Sequence, residues 1–456
     1  MLFVTTKAWR STEAVITAPT RNRMGLERAH VGSNPTFSGY LLTIISALFF
    51  SSSIFASGFQ LWEESASSLG DYHAGGAASA KDASSIFYNP AGATHIKHQE
   101  ISAGVVYIPL DVTYHGTITL NGVPAQNSPT PPAGISGSTE NYVPNFHYVL
   151  PINHRLAVAF EETTPFGLST SYPSDGTGIG MLATVTKLKT INLNPSIAYA
   201  INDKISVGAG FDAMHGEAIY DDAIQSLGPI TNSLTGWGYG YNAGVLMQLN
   251  SATRMGLSYR SAVTIVATGP SETSGVSSTV SAAFPLPATT MLSIYHDMSH
   301  RWAIMASAFY TQWSCFHELV IKNISQGAGF SPGTVALFEN YRDTWNFSLG
   351  SRYRINHFWS IEAGAGHDET PTRLPYRDIR LPDNDRYAAS LGVNYYPKSN
   401  LKFSAGWTHF FVDRTTINNS GSNDTSKTTT LLPPAVGIGY VDSQVNVFGL
   451  QLSWDF

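Results

Sequence analysis

The chain has 456 residues, a formal net charge of −6 and a mean hydropathy of −0.05. That hydropathy excludes a helical membrane protein, and the negative charge argues against nucleic acid as the main partner. Charged residues make up 13% of the chain, against ~25% in soluble domains, and aromatic residues 12%. Low charge with many aromatic residues is typical of a transmembrane β-barrel. The one cysteine, Cys315, cannot form an internal disulfide, and no Cys/His spacing suits zinc, so we expect no metal or cofactor.

Residues 39–57 read as a signal peptide. An apolar run, 41–50, is followed by small residues up to Ala56, as expected of a cleavable leader. The run is shorter than the ~20 residues that a membrane-spanning helix needs. Residues 1–38 match no leader of normal length, and GLERAHVGSNPTF resembles the translation of a transfer-RNA gene. We therefore interpret 1–38 as a spurious or unstructured extension, with the true start at or after Met24.

The stretch that follows the leader, 58–92, is rich in Gly, Ala and Ser and ends in Asn89-Pro90-Ala91. Small residues allow backbone to pack closely against other backbone in a confined space. A residue before proline disfavours helix, so no helix is expected to run through Asn89. We predict that residues 58–98 form a hatch that plugs the lumen of a barrel built from residues 99–456.

Fourteen strand-like segments follow, and tight turns alternate with long connections rich in Gly, Ser, Thr, Asn and Pro. This alternation is typical of an up-and-down barrel with both termini on one side. The fold class is therefore predicted as all-β: a fourteen-stranded antiparallel transmembrane β-barrel with an N-terminal hatch. The predicted strands are 99–114, 141–150, 154–164, 187–200, 204–220, 237–249, 253–267, 287–297, 301–313, 344–354, 358–367, 386–396, 401–412 and 444–456.

The period within the strands is two. In the last strand Phe448, Leu450 and Leu452 share one face, while Gln451 and Ser453 share the other. A charge that faces lipid at mid-membrane costs ~2–4 kcal/mol, so charged residues within strands are expected to point into the lumen or lie near a rim. A β-sandwich would also alternate, but it would not be expected to combine this pattern with a leader, regular turn spacing and a terminal aromatic residue. The charged strand residues to which this argument applies are Arg260, Arg352 and Glu362.

These features together resemble the FadL-type (OMPP1/FadL/TodX) family of outer-membrane transporters. Each of the motifs is weak alone, and their order and spacing carry the resemblance, which covers residues 57–456. The ending Trp454-Asp455-Phe456 also resembles the signal by which the barrel-assembly machinery recognises its clients. The motifs are Gly58-Phe59-Gln60-Leu61, Asn89-Pro90-Ala91, Ser102-Ala103-Gly104 and Asn141-Tyr142-Val143-Pro144-Asn145.

The resemblance implies a set of functional residues. The hatch motif Asn89, Pro90 and Ala91 would gate the passage by meeting an inward kink of the third strand, which opens a lateral hole in the wall. That kink would lie among Leu156, Ala157 and Ala159, and a basic residue would meet the substrate carboxylate. The candidates for that basic residue are Arg254, Arg260 and Arg352.

Simpler roles stay open for two parts of the hatch. Phe59 and Leu61 are candidates to line the pocket, but they could equally be packed against the wall. Asn89 could cap a helix or turn instead of gating. Three apolar segments in the predicted loops, 165–168, 284–287 and 335–338, would form either a capture surface or part of the aromatic girdle.

We expect an uptake channel for hydrophobic molecules in the outer membrane of a Gram-negative bacterium. Long-chain fatty acids, passing by passive diffusion, are the first candidate and aromatic hydrocarbons the alternative. Other classes to weigh are a general porin or adhesin and a barrel lipase, but no serine has a nucleophile setting, so no enzyme is expected. Other expected partners are membrane lipid, lipopolysaccharide and, through Phe456, the barrel-assembly machinery; we expect a monomer that binds no nucleic acid.

Overall fold

The computed structural model describes residues 58–125, 134–174, 178–224, 228–430 and 435–456. The predicted leader and the residues before it lie outside the described residues. The described chain folds as a closed antiparallel barrel of fourteen strands, which confirms the predicted fold class. Each strand pairs with the next, and the last closes the ring on the first, from Glu100 opposite Asp455 to Leu120 opposite Ala435.

The fourteen strands are numbered β1 to β14 in chain order, and several of them are interrupted and then resume. The first seven are β1 (Glu100–Leu120), β2 (Thr139–Pro151), β3 (Leu156–Thr163, resuming as Gly167–Ser171), β4 (Val185–Asn202), β5 (Ile205–Tyr220), β6 (Gly228–Gln248) and β7 (Thr253–Arg260, resuming as Val263–Thr273). The others are β8 (Val276–Leu286, resuming as Thr289–Asp297), β9 (Trp302–Thr311, resuming as Glu318–Ile324), β10 (Thr344–Arg354), β11 (Trp359–Asp368), β12 (Arg386–Lys398), β13 (Leu401–Val412, resuming as Thr415–Asn418) and β14 (Ala435–Asp455). Short strands at Val123–Pro124, Ile135–Ser136, Asp222–Ile224 and Gly333–Phe338 extend the connections.

The barrel is apolar on its outer face. On β14, Phe448 is 45% exposed and Leu450 is 63% exposed, while Gln451, which follows Leu450, is 4% exposed. Successive residues of a strand point to opposite faces, so this pattern places polar side chains in the lumen and aliphatic and aromatic ones toward lipid. The predicted inward orientation of Arg260, Arg352 and Glu362 follows the same rule, since each pairs with charged groups inside the ring.

Asparagine side chains build the tight turns at one end of the barrel. Asn153 Oδ1 accepts hydrogen bonds from the backbone N–H groups of Arg155 and Leu156, at 2.9 and 3.0 Å. Asn202 and Asn356 do the same in their own turns. An Asx turn of this kind replaces a backbone turn with a side-chain acceptor, which explains why asparagine recurs at the turns that the sequence predicts.

The long connections at the opposite end are more ordered than their composition predicts. β6 begins at Gly228 and β14 at Ala435, both ahead of the predicted starts. β7 and β8 are joined by only Ser274 and Gly275, whose φ angles of 49° and 77° suit a two-residue hairpin. Serine, threonine and glycine leave the strand propensity of these stretches low, and pairing with a neighbouring strand overrides it.

The segment 58–98, which we call the hatch segment, contains only short helices and turns and is largely buried. Gly75 N donates to Ser307 Oγ on β9 at 2.9 Å, Ala77 N to Ser293 Oγ on β8 at 3.2 Å, and Ser65 Oγ to Gln451 Oε1 on β14 at 3.0 Å. Contacts with strands so far apart in the ring place the segment in the lumen. The segment contains helices α1 (Ala66–Leu69) and α2 (Gly76–Ser79) and 3-10 turns at Ala83–Ile86 and Pro90–His95. Elsewhere in the described chain, 3-10 turns lie at Gly178–Met181 and Trp313–Cys315.

Among the described residues, no helix has the length and apolar character needed to span a membrane.

Candidate functional site

The start of the hatch segment pairs with β3. Leu61 N donates to Pro165 O and Gly167 N donates to Phe59 O, both at 2.8 Å, so that Gln60 lies opposite Phe166. Both Phe59 and Leu61 are buried. The hatch segment therefore adds a short antiparallel piece to the inner edge of β3 rather than lying loosely in the lumen.

The kink of β3 does not lie at Leu156, Ala157 and Ala159. All three pair without a break with β4, and Ala157 and Ala159 also pair with β2. This corrects the placement that the resemblance implied. The physical reason is that alanines at these positions leave the ladder intact, since neither adds an extra residue nor removes an N–H donor.

The interruption comes at residues 164–166. β3 leaves β4 after Thr163, opposite Asn192, and rejoins it at Gly167, opposite Lys189, so three residues face two and form a bulge. Pro165 has no N–H to donate to the ladder, which favours a break here. The ladder with β2 also ends at Glu162, opposite Phe146, and this leaves the wall between β2 and β3 unpaired beside the bulge.

An aromatic cluster surrounds Phe59, near the start of the hatch segment. The ring of Phe59 lies 4.7 Å from that of Trp313, 5.6 Å from that of Phe316 and 6.2 Å from that of Phe166, each edge to face. Trp313 belongs to the excursion that interrupts β9, so residues from β3, β9 and the hatch segment meet in the lumen. We call Phe59, Phe166, Trp313 and Phe316 the aromatic partition, because cavities lie on both sides of it.

The upper cavity, toward the long connections, has a volume of about 70 Å³. Its lining is mostly apolar, and it contains the cations Lys187, Arg377 and Arg380 and the acids Glu339 and Asp378. Arg380 pairs with Asp222, whereas neither Lys187 nor Arg377 forms an ion pair within the described residues. Arg377 Nε instead donates to Thr372 Oγ1 at 2.8 Å. Burial raises the pKa of Glu339 to about 8, so this nearby acid is mostly uncharged at neutral pH. The apolar lining includes Phe59, Leu168, Leu188, Phe284, Phe316, Leu319 and Leu381.

Two of the apolar segments predicted as loop patches therefore face inward. Phe166 and Leu168 are buried on β3, and Phe284 and Leu286 are buried on β8. They do not form an exposed capture surface. The prediction failed because both segments lie where strands extend beyond their predicted ends.

The lower cavity is smaller, about 30 Å³, and lies between the hatch segment and strands β5 to β8. Phe166 from the aromatic partition lines it, as do Pro90 of the hatch motif and Pro165 of the bulge. Arg260 and Asn242 add polar groups to an otherwise largely apolar lining. Residues of the aromatic partition thus line both cavities.

The motif Asn89-Pro90-Ala91 is held against β5 and β6. Asn89 Oδ1 accepts from Ala91 N at 3.0 Å, and Asn89 Nδ2 donates to Ala77 O at 2.8 Å and to Val245 O on β6 at 3.0 Å. Asn89 is therefore both a cap and a contact with the wall. The contact is with β6, whereas the resemblance implied β3; the later residues Ala93 and Ile96 are the ones that cluster with Ala157 and Ala159.

Glycines on the wall allow this close approach. A Cβ atom at Gly244 would lie 2.0 Å from Asn89 Oδ1, and one at Gly208 would lie 2.5 Å from Ala91 N. Real Cβ atoms do not approach other atoms so closely, so glycine is required at both positions for the motif to sit where it does.

The three predicted head-group arginines lie apart from one another. Arg260 lines the lower cavity and pairs with Glu161 at 3.0 Å and with Asp212. Arg352 pairs with Glu362 at 2.8 Å, and Arg254 stacks over the ring of Tyr295 at 4.5 Å, near a tight turn. Neither Arg352 nor Arg254 lines either cavity. Sequence reasoning missed Lys187 and Arg377, which come from a strand and a distant connection and carry no shared local signal.

Ion pairs also tie the hatch segment to the wall. Lys81 Nζ lies 3.0 Å from Asp71 Oδ2 within the segment and 3.5 Å from Glu362 Oε1 on β11, and Asp82 pairs with Lys402 on β13. Burial raises the pKa of Asp71 to about 6 against the opposing charge of Lys81. For Asp82 burial acts in the same direction, but the ammonium groups of Lys402 and Lys81 outweigh it and hold its pKa below the usual range.

Comparison with known proteins places the chain among transporters. The family model described as outer membrane protein transport protein (OMPP1/FadL/TodX) matches residues 47–456. A long-chain fatty acid transport protein of Escherichia coli O6:H1 is 33% identical over 404 residues, which cover 79% of this chain and 87% of that protein.

Solved structures show the same fold. A FadL homologue from Pseudomonas aeruginosa superposes with a TM-score of 0.77 at 24% identity, covering 88% of this chain and 100% of that one. The Ralstonia pickettii toluene transporter TbuX superposes with a TM-score of 0.62 at 18% identity, covering 87% of this chain and 100% of that one.

Proposed function

Because the chain belongs to the OMPP1/FadL/TodX family of outer-membrane transport proteins, we propose that it takes up long-chain fatty acids by passive diffusion. It is a multi-pass barrel of the Gram-negative outer membrane. In outer-membrane barrels the long connections face outward and the short turns face the periplasm. The upper cavity then lies on the outer side and receives the substrate first.

The observation that carries this proposal is the composition of the upper cavity. Transfer of each CH₂ from water into an apolar site is worth ~0.8 kcal/mol, so an alkyl chain enters such a site with several kcal/mol of drive. Lys187 and Arg377 line the same cavity without carboxylate partners among the described residues, and they would meet a carboxylate head group. An aromatic hydrocarbon would use the apolar lining but not these cations.

The proposed route runs from the upper cavity past the aromatic partition to the lower cavity and out at the bulge of β3. Volumes of about 70 and 30 Å³ are far below the ~300–1,000 Å³ of pockets that enclose drug-sized ligands. Passage of an acyl chain therefore requires the partition to open. Phe59 lies in the partition between the cavities and is held to β3 by few backbone bonds, so displacement of residues 58–61 is the proposed gating step.

Uptake of labelled oleate and of labelled toluene by cells with and without the gene tests the function. We expect the gene to increase oleate uptake, with toluene as the arm that reveals an aromatic substrate instead. Equal uptake of both compounds in the two strains would overturn the proposal. Steady ion conductance in planar bilayers would instead indicate a general porin.

Replacing Arg377 with Gln, alone or together with Lys187→Gln, is expected to lower oleate uptake about tenfold, because charge-assisted hydrogen bonds are worth ~1.5–3 kcal/mol. Uptake of toluene, which has no charged head group, should change little. Arg373→Gln is the matched control, since Arg373 is an exposed arginine of the same connection and lines neither cavity. Equal loss in the control, or none in the Arg377 variant, would contradict the assignment.

We also propose that the protein acts without catalysis, as a monomer, and that lipopolysaccharide surrounds its outer rim. Its ending, Trp454-Asp455-Phe456, would be read by the barrel-assembly machinery. The rings of Trp454 and Phe456 lie 4.8 Å apart, and Phe456 is exposed, which leaves it accessible to a partner.

A further inference from the structure

Buried polar side chains line the inner face of the barrel from β2 to β7, beside the bulge of β3. We call this set the polar band. Each of its members is almost fully shielded from solvent except Arg260, which lines the lower cavity with Asn242. The members are Asn145, Glu161, Asn192, Asp212, Asn242 and Arg260.

The polar band connects the lower cavity to the opening in the wall. Asn242 and Arg260 lie at the cavity, and Arg260 reaches across to Glu161 on β3 and Asp212 on β5. Asn192 Nδ2 donates to Asp212 Oδ1 at 2.7 Å. Asn145 lies on β2 and pairs with Gly104 of β1. It has no ladder partner on β3, because the ladder between β2 and β3 ends at Phe146. A molecule that leaves the lower cavity through the bulge must pass these groups.

The polar band holds no unpaired cation. It contains two acids, Glu161 and Asp212, and its single guanidinium, that of Arg260, pairs with both of them. The neighbouring Glu64, whose Oε2 accepts from Thr164 N at 3.0 Å, adds no cation. Burial raises the pKa of Glu64 well above its usual range. A carboxylate that enters this region meets no spare positive charge.

The polar band also contains hydrogen-bond donors and acceptors that have no partner among the described residues. Among the described residues, both side-chain amide atoms of Asn145 and of Asn242 are buried without a partner, and so are Asn192 Oδ1, Glu161 Oε2 and Asp212 Oδ2. Leaving a buried polar group without a hydrogen bond costs free energy, which a ligand that pairs with the group recovers. The amide groups can donate to a ligand, and the carboxylate and amide oxygens can accept from one.

We propose that the polar band is a second head-group site that takes uncharged, hydrogen-bonding head groups of long-chain amphiphiles: an alcohol, an amide or a carboxylic acid in its protonated form. This inference rests on the proposed function and adds a selectivity step to it. The outer cations of the upper cavity attract a carboxylate, while the polar band favours a neutral group. The two sites thus favour different charge states of the head group, which separates capture from release.

Two isosteric substitutions of opposite sign test the inference. Cells that produce each variant are given labelled oleate and labelled oleamide, and the ratio of oleate to oleamide uptake is measured. Glu161→Gln removes a negative charge and leaves Arg260 paired with Asp212, whereas Asn242→Asp adds one at the lower cavity. We expect the ratio to rise about tenfold in E161Q and to fall about tenfold in N242D, since a nearby charge acts more strongly on a carboxylate in a protein interior than in water.

Asp368→Asn is the matched control, because Asp368 is also a buried carboxylate paired with an arginine, Arg386, but it lies on β11, outside the polar band. Its uptake ratio should stay at the wild-type value. Heat-modifiable electrophoretic mobility verifies that each barrel is folded, and if one variant does not fold, the other still decides. An unchanged ratio in a folded E161Q or N242D variant overturns the inference. Wild-type cells that take up neither compound would instead overturn the proposed function itself.

Discussion

A disulfide between positions 60 and 166 is expected to stop oleate uptake, and reduction is expected to restore it. Gln60 lies opposite Phe166, and the flanking bonds run from Leu61 N to Pro165 O and from Gly167 N to Phe59 O. The pair is thus of the non-hydrogen-bonded antiparallel type, in which Cα atoms lie ~4.5 Å apart. That separation falls within the ~4.4–6.8 Å that a disulfide spans.

The cross-link would hold residues 58–61 against β3 and so keep Phe59 in place beside Trp313 and Phe316. A substrate can only use an open state that remains populated, and the cross-link removes that state. We therefore expect uptake in the oxidised Q60C/F166C variant, made with Cys315→Ser, to be at most about one tenth of uptake after reduction. Labelled oleate uptake before and after dithiothreitol, with cross-linking followed on non-reducing gels, measures the effect.

The single variant F166C with C315S is the control for this experiment. It lacks the Phe166 ring but cannot form the cross-link, so oxidant should leave its uptake unchanged. A fully cross-linked double variant that transports as well as its reduced form would show that the substrate passes without displacing the start of the hatch segment. The gating step proposed above would then be wrong.

The barrel itself could be predicted because its signals are local and repeated. A period of two along each strand fixes which side chains face lipid, and asparagine turns mark where one strand returns as the next. Small residues in 58–98 likewise indicate a segment packed in a confined space. The ends of strands on the outer side could not be predicted, because Ser, Thr and Gly stretches become strands only when a neighbour supplies the ladder.

The site was harder to predict, since its properties depend on partners distant in sequence. Arg260 and Arg352 are basic residues in the lumen, as predicted, but Glu161, Asp212 and Glu362 already pair with them. The resemblance implied a kink of β3 among Leu156, Ala157 and Ala159, whereas the ladder is interrupted at residues 164–166, where Pro165 has no N–H to donate.

Gly244→Ala is expected to dislodge the Asn-Pro-Ala motif from the wall. The added Cβ would lie 2.0 Å from Asn89 Oδ1, with Pro90 Cδ at 3.3 Å, so the motif must move away from β6. Overpacking of this kind costs ~1–3 kcal/mol, and the hydrogen bond from Asn89 Nδ2 to Val245 O is lost with it. We expect a lower temperature of barrel unfolding and an ion leak in planar bilayers, because the hatch segment no longer seals against β5 and β6.

Two further variants separate this clash from a general effect of adding a methyl group. Gly92→Ala lies in the same segment, but its nearest neighbour would be 3.5 Å away, so it should behave as wild type. Asn89→Ala loses the cap and the wall contact but makes room for a Cβ at position 244. The double variant N89A/G244A should therefore be no more leaky than the leakier single variant, since residues in direct contact are not additive. If G244A has wild-type conductance and oleate uptake, the contact of Asn89 with β6 does not hold the hatch segment in place.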